Sequence, residues 1–210
     1  MRYKIAQGLA ATLFYLHEEW EQCEVHRDIK YSNIILNSNF NVKLSDFVLA
    51  RLVDHGLGSQ TTVLAGTMGY LAPECSSTDK ASKESNIYRF GVVYIEIACG
   101  RNPIEPQAEL NRVRLVEWVW DLYRKCQLFQ AVDNELSMEF DKQLMECLML
   151  VGLWCCHLDP SILPSIRQVM YALNFEAHFP KLPSMLLMPM YVGLPLHVML
   201  TPPNLLGPIV

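Results

Sequence analysis

Residues Ile87 to Cys99 are apolar nearly all the way round. A helix with one wet side shows a polar stripe, so a run without one is enclosed by protein. Such a helix belongs at the centre of a fold whose other segments pack on it. Ile5, Leu9, Leu13 and Leu16 recur three or four residues apart and predict an amphipathic helix over residues 1–20. Further helical patterns cover about Leu115 to Phe129, Lys142 to Cys156 and Ser165 to Phe175. Gly100, Pro103, Pro106 and the Asp159-Pro160 pair mark the breaks. The fold class expected is therefore mainly α, with no internal repeat.

Two short β-prone runs, Ile34-Ile35-Leu36 and Val42-Lys43-Leu44, flank the polar stretch 37–41 and read as a small hairpin. From Ser45 to about Lys83 no period survives. That stretch reads as a long ordered loop, and long loops inside compact domains are usually functional. After Phe179 the composition shifts to Pro and Met, so the folded domain is expected over 1–178 with an irregular tail over 179–210. Met185 to Leu200 is apolar but shorter than the roughly 20 residues a bilayer span needs, and Pro189 and Pro195 interrupt it. No membrane span is expected, and residues 1–5 lack the apolar core of a secretory signal.

The net charge of −5, from 17 Lys and Arg against 22 Asp and Glu, leaves no general basic field for nucleic acid. Seven cysteines scattered through apolar runs form no disulfide framework and read as reduced thiols in a cytosolic setting. Cys155-Cys156-His157 lacks a second ligand pair at zinc spacing and reads as a buried helix end; Cys23 and His26 fare no better as metal ligands. Trp118, Trp120 and Trp154 read as core. Gly56-Leu57-Gly58 reads as a flexible turn, because it lacks the third glycine and flanking strands of a phosphate cradle.

Polar chemistry concentrates at His26-Arg27-Asp28-Ile29-Lys30-Tyr31-Ser32-Asn33, at Asp46-Phe47-Val48 and at Ala72-Pro73-Glu74. Each is a weak signal alone. In this order, on a helix, loop, hairpin, long loop and buried helix, they resemble the C-terminal lobe of a eukaryotic protein kinase. Tyr88-Arg89-Phe90-Gly91-Val92-Val93, Gly152-Leu153-Trp154-Cys155 and the tail segments Leu182-Pro183-Ser184 and Met188-Pro189-Met190-Tyr191 are similar to plant receptor-like kinases, among them most of all the lectin-domain group.

The resemblance implies transfer of the ATP γ-phosphate to protein Ser or Thr. Lys30 and the Gly66-Thr67 pair before Tyr70 point to the serine/threonine class. By the same resemblance Asp28 accepts the substrate hydroxyl proton, Asn33 and Asp46 hold Mg²⁺, and Lys30 contacts the transferred phosphate. Arg27 is the buried charge that meets a phosphorylated loop, with Ser59, Thr61 and Thr62 as candidate acceptors. Thr67 would line the substrate groove, and His26, Phe47, Glu74, Asn86 and Arg167 take structural roles. Relatives of this type are anchored in the plasma membrane with the kinase on the cytosolic side, and this chain is expected in the cytosol.

Several departures qualify that expectation. No Gly-rich strand pair, strand lysine or partner-helix glutamate precedes the first helix, so the N-terminal lobe is expected to be absent and the isolated chain inactive. Val48 stands where the family has glycine, and a β-branched residue at positive φ would be strained. Asn86 stands where the family has an aspartate that ties down the catalytic loop. A neutral bond there contributes roughly 1 kcal/mol against about 1.5 to 3 for a charged one. Leu163 stands where the family has an arginine paired to Glu74, so Glu74 is expected to pair with Arg167 or to face solvent. The alternative to a kinase is a non-catalytic, pseudokinase-like module that binds a protein partner on the surface left by the missing lobe, or a truncated product.

Overall fold

A computed structural model describes residues 1–53, 60–61, 66–72, 80–136, 140–177 and 182–183. Helix α1 (Arg2–Phe14) buries Ala6, Leu9, Ala10 and Leu13 and runs into a five-residue π-helical turn, Tyr15–Glu19. Four more helices follow: α2 (Lys83–Cys99), α3 (Leu115–Arg124), α4 (Lys142–Cys155) and α5 (Ile166–Leu173). Among the described residues the only sheets are three antiparallel pairs, so the chain is mainly helical.

The enclosed helix is α2. Ser82 starts it through a reciprocal capping box with Ser85, and Gly100, at φ 63°, ends it. Ser85 through Glu96, Ala98 and Cys99 are all buried. Helix α4 packs against it, α1 and α3 also touch it, and α5 lies against α1 and α4. The crossing of α2 and α4 is closed by two glycines. A Cβ on Gly91 would lie 2.6 Å from the Cys155 Cβ and 2.8 Å from the Gly152 carbonyl oxygen; one on Gly152 would lie 2.8 Å from Ile95 Cγ1. Cys155 and Cys156 are free, buried thiols held well above their usual pKa by desolvation, and His157 accepts the Asp159 N–H at 3.0 Å. They form a helix end, as the sequence suggested. Among the described residues no group of three His, Cys, Asp or Glu could hold a metal ion.

The helix expected to reach Phe129 stops at Arg124. Cys126 adopts φ 56°, and a 3-10 turn, Leu128–Ala131, completes the segment. The hairpin is present as β2 (Ile34–Leu36) and β3 (Val42–Leu44), with Asn37 Oδ1 accepting the N–H groups of Asn39 and Asn41 at 2.9 Å each. The stretch after Ser45 is not all loop. Strand β4 (Arg51–Val53) pairs with β1 (Cys23–Val25), and β5 (Gln60–Thr61) pairs with β6 (Lys80–Ala81). Strands of two or three residues are too short to show a period of two. Of the expected tail only residues 182–183 are described, and there Leu182 is buried in the core; the apolar run 185–200 lies outside the described residues. No helix among those described is long and apolar enough to cross a membrane.

Candidate active site

The segment between β1 and β2 is held from beneath by buried polar groups. His26 is fully buried, and its Nε2 faces the Ser45 carbonyl at 2.9 Å, so that nitrogen carries the proton. Its Nδ1 then accepts the Asp28 N–H at 3.3 Å, while Phe47 packs edge-on against the ring at 4.6 Å. Burial pushes the pKa of His26 down, which keeps the ring neutral and this bonding pattern intact. Arg27 is buried and adopts φ 69°. That conformation is disfavoured for a residue with a Cβ, and the Arg27 N–H bond to Asn86 Oδ1 at 3.1 Å helps to hold it.

Both oxygens of Asp28 are occupied by donors. Thr67 gives Oδ1 its backbone N–H at 3.1 Å and its hydroxyl at 2.8 Å. Lys30 Nζ reaches Oδ2 at 2.6 Å and also donates to the Thr67 hydroxyl oxygen at 3.1 Å. Asn33 Nδ2 donates to the Asp28 carbonyl at 2.9 Å and to Oδ2 at 3.3 Å. Burial pushes the Asp28 carboxyl up, but the bonds from Lys30 and Thr67 and the Lys30 charge outweigh it and leave it below the usual carboxylate range. It is an ionised acceptor at neutral pH.

Asn33 is fixed on both sides. Its carbonyl accepts both the N–H and the hydroxyl of Ser45 at 2.9 Å, which brings Ser45, and with it the next residue, Asp46, to the Asn33 backbone. Asp46 is exposed and adopts φ 63°. His26 feels the charges of both Asp28 and Asp46, so residues 26, 28, 33 and 46 occupy one locality. The Asn33 amide spends its N–H group on Asp28, so its Oδ1 is not the atom that bonds Asp28. Hard oxygen donors of this kind, one amide and one carboxylate, are the type that suits Mg²⁺.

One expected defect is absent, and at the other the expected neutral bond is in place. Val48 was expected to be strained in a glycine conformation, but the positive φ falls on Asp46, which tolerates it; Val48 sits in the 3-10 turn Phe47–Leu49 and is 81% exposed. Asn86 keeps the anchoring bond, since its Oδ1 accepts from Arg27 and its Nδ2 faces Nε2 of the buried His17 at 3.1 Å.

Arg167 is exposed, bonds Glu18 at 3.3 Å and lies over Phe14, 5.0 Å from the ring centre. Glu74 lies outside the described residues, as do Ser59 and Thr62; Thr61 is described only as backbone in β5.

Sequence reasoning missed Tyr70 and Glu96. The Tyr70 hydroxyl donates to Glu96 Oε2 at 2.7 Å in a buried contact, and burial raises Glu96 to about 7. Tyr70 N–H also returns to the Thr67 carbonyl at 3.2 Å, so the turn 67–70 is tied to Asp28 at one end and to α2 at the other. A carboxylate at position 96 within a run otherwise apolar was the available signal.

A basic side chain, an amide and a hydroxyl converging on one low-pKa aspartate, beneath a loop seated on a buried helix, define a class. The chain belongs to the protein kinase domain family, whose description matches residues 2–173. Among its relatives is the L-type lectin-domain containing receptor kinase IX.1 of Arabidopsis thaliana, 57% identical over 187 residues, 88% of this chain and 29% of the relative. The L-type lectin-domain containing receptor kinase IX.2 of the same plant is 54% identical over 191 residues, 87% of this chain and 28% of the relative. L-type lectin-domain containing receptor kinase SIT2 of Oryza sativa subsp. japonica is 45% identical over 181 residues, 86% of this chain and 27% of the relative. The chain thus spans less than a third of the length of these relatives.

Proposed function

We propose that the chain is the C-terminal lobe of a receptor-like serine/threonine protein kinase, acting on protein hydroxyls at the cytosolic face of the membrane with ATP and Mg²⁺. The observation that carries this reading is the Asp28 carboxylate, ionised and held in place by Thr67, Lys30 and Asn33. Asp28 accepts a hydrogen bond from the incoming hydroxyl, which aligns it for attack and takes up its proton as the bond forms. Lys30 bridges Asp28 and the Thr67 hydroxyl, and from there its charge is placed to meet the transferred phosphoryl oxygens. Asn33 Oδ1 and Asp46 would hold Mg²⁺, which supplies neutralisation of charge on the phosphate oxygens. Thr67 fixes the direction of the Asp28 carboxylate and borders the groove in which the substrate hydroxyl lies.

The test is phosphate transfer to a generic serine peptide from two proteins: the 210-residue chain, and the same chain preceded by the nucleotide-covering lobe of a receptor kinase relative. Turnover is expected from the second, and Asp28→Asn is expected to lower it by about 10²–10⁴-fold. Turnover that Asp28→Asn leaves unchanged would overturn the assignment.

A further inference from the structure

The loop between α2 and α3 carries a charged group that phosphoryl transfer does not use. Trp118 on α3 is buried, and two guanidiniums lie over its ring, that of Arg101 at 4.6 Å and that of Arg112 at 4.9 Å from the ring centre. An indole face attracts a cation, but two cations on one ring repel unless each has its own anion. Arg101 has one. Its Nε and Nη2 donate to Glu105 Oε2 at 3.0 and 2.6 Å, and Nη2 also donates to the Arg112 carbonyl at 3.0 Å.

Arg112 has none within ion-pair distance among the described residues. Glu105 is taken by Arg101, and Glu117 pairs with Arg114 at 3.6 Å. The stacked Arg112 side chain is exposed, and the same 3-10 turn, Leu110–Arg112, projects Leu110 into solvent, 84% exposed. An ordered guanidinium beside a bare leucine has the make-up of an interaction point, since the rotamer freedom of the arginine is already reduced.

Its position relates it to the site. Pro103 Cβ and Ile104 Cγ1 lie 3.0 and 3.2 Å from where a Cβ on Gly69 would be, and Gly69 belongs to the turn that seats Thr67 on Asp28. Residues 103–105 are laddered to 113–115 through Leu115 N–H to the Pro103 carbonyl at 3.0 Å and Glu105 N–H to the Val113 carbonyl at 2.9 Å. Arg112 immediately precedes that ladder.

We propose that Arg112, ordered by Trp118, binds a carboxylate of the protein segment that docks along the Thr67–Tyr70 turn, with Leu110 as its apolar neighbour. An acidic side chain set apart from the reacting hydroxyl is then a specificity determinant. The inference rests on the reading that Asp28 acts on a protein hydroxyl. Because the whole chain carries −5, a preference for acid has to arise locally and not from a general field.

The experiment measures binding of the full chain to labelled serine peptides, each with one Glu at a different position, alongside Gln and phosphoserine counterparts. At one position Glu is expected to bind about fivefold more tightly than Gln. Arg112→Gln is expected to abolish that difference, Arg112→Lys to reduce it, and Leu110→Ser to weaken Glu and Gln peptides alike. No position that favours Glu, or a preference that persists in Arg112→Gln, overturns the proposal. Phosphoserine bound more than tenfold above Glu overturns the carboxylate in favour of a phosphate. An intact Glu preference in a chain that never supports phosphate transfer upholds the Arg112 site and counts against the kinase reading alone.

Discussion

His17 offers the sharpest test of how the catalytic segment is held. The Arg27 N–H can only donate, so the Asn86 atom that receives it is Oδ1, and the atom facing His17 Nε2 at 3.1 Å is the amide nitrogen. An NH₂ group can only donate as well, so Nε2 accepts and His17 carries its proton on Nδ1. Protonating the ring would set N–H against N–H in a site where His17 is 1% exposed. Burial, helped by the charge of Lys83, whose Nζ reaches the His17 carbonyl at 3.2 Å, lowers the pKa of His17 to about 3.

The unfolded chain takes up this proton below its ordinary value, 6.5, while the folded chain does not. Stability from His17 is therefore whole above pH 6.5 and drains as pH falls towards 3, at about 1.4 kcal/mol per unit, or about 3 kcal/mol lost by pH 4.5. Glu96 acts in the opposite sense. Its folded value near 7 lies above the ordinary 4.5, so its contribution is whole below 4.5 and fades as pH rises to 7. The total profile hides both. The difference between the native chain and His17→Gln, which keeps an acceptor for Asn86 but cannot titrate, isolates His17. Urea unfolding of both at pH 7.5, 6.0 and 4.5, followed by tryptophan fluorescence, should give a difference that is flat above 7 and shifts by about 3 kcal/mol at 4.5. Parallel curves would refute the bonding pattern.

Asn86→Asp keeps the bond to Arg27 but turns an acceptor towards His17, so nitrogen NMR of the ring should show the proton moved to Nε2 and a raised pKa. Thr67→Ala removes the hydroxyl donor from Asp28 and keeps the backbone N–H, and carbon NMR of the carboxyl should show its pKa rise towards the ordinary range, whereas Thr67→Ser should hold it down. Gly91→Ala drives a methyl into the α4 backbone and should cost about 1–3 kcal/mol in urea unfolding, because a backbone neighbour at 2.8 Å cannot rotate away.

The helices were legible wherever a pattern had room to repeat. The enclosed character of α2 shows in its unbroken run of apolar residues, and the cluster around Asp28 shows in the order and spacing of a few polar types. What stayed hidden depends on partners far apart in the chain. Residues 23–25 become a strand only because 51–53 lie alongside, and Glu96 looks like an intrusion into an apolar helix until Tyr70, 26 residues earlier, is placed beside it. The end of α3 at Arg124 turns on Cys126 accepting a positive φ, which composition does not announce.

The site tolerates Val48 for a reason that can be tested by the sign of one measurement. If the residue after Phe47 needed positive φ, valine there would be strained and Val48→Gly would relieve it, stabilising the chain. Here the left-handed residue is Asp46, and Val48 occupies a 3-10 turn with its side chain in solvent. Glycine at that position gains no strain relief, buries nothing more, and loosens the unfolded chain. Val48→Gly should therefore destabilise by about 0.5–1 kcal/mol in urea unfolding. A stabilisation of that size would mean that the strain sits at Val48 after all, and that the geometry presenting Asp46 is held against it.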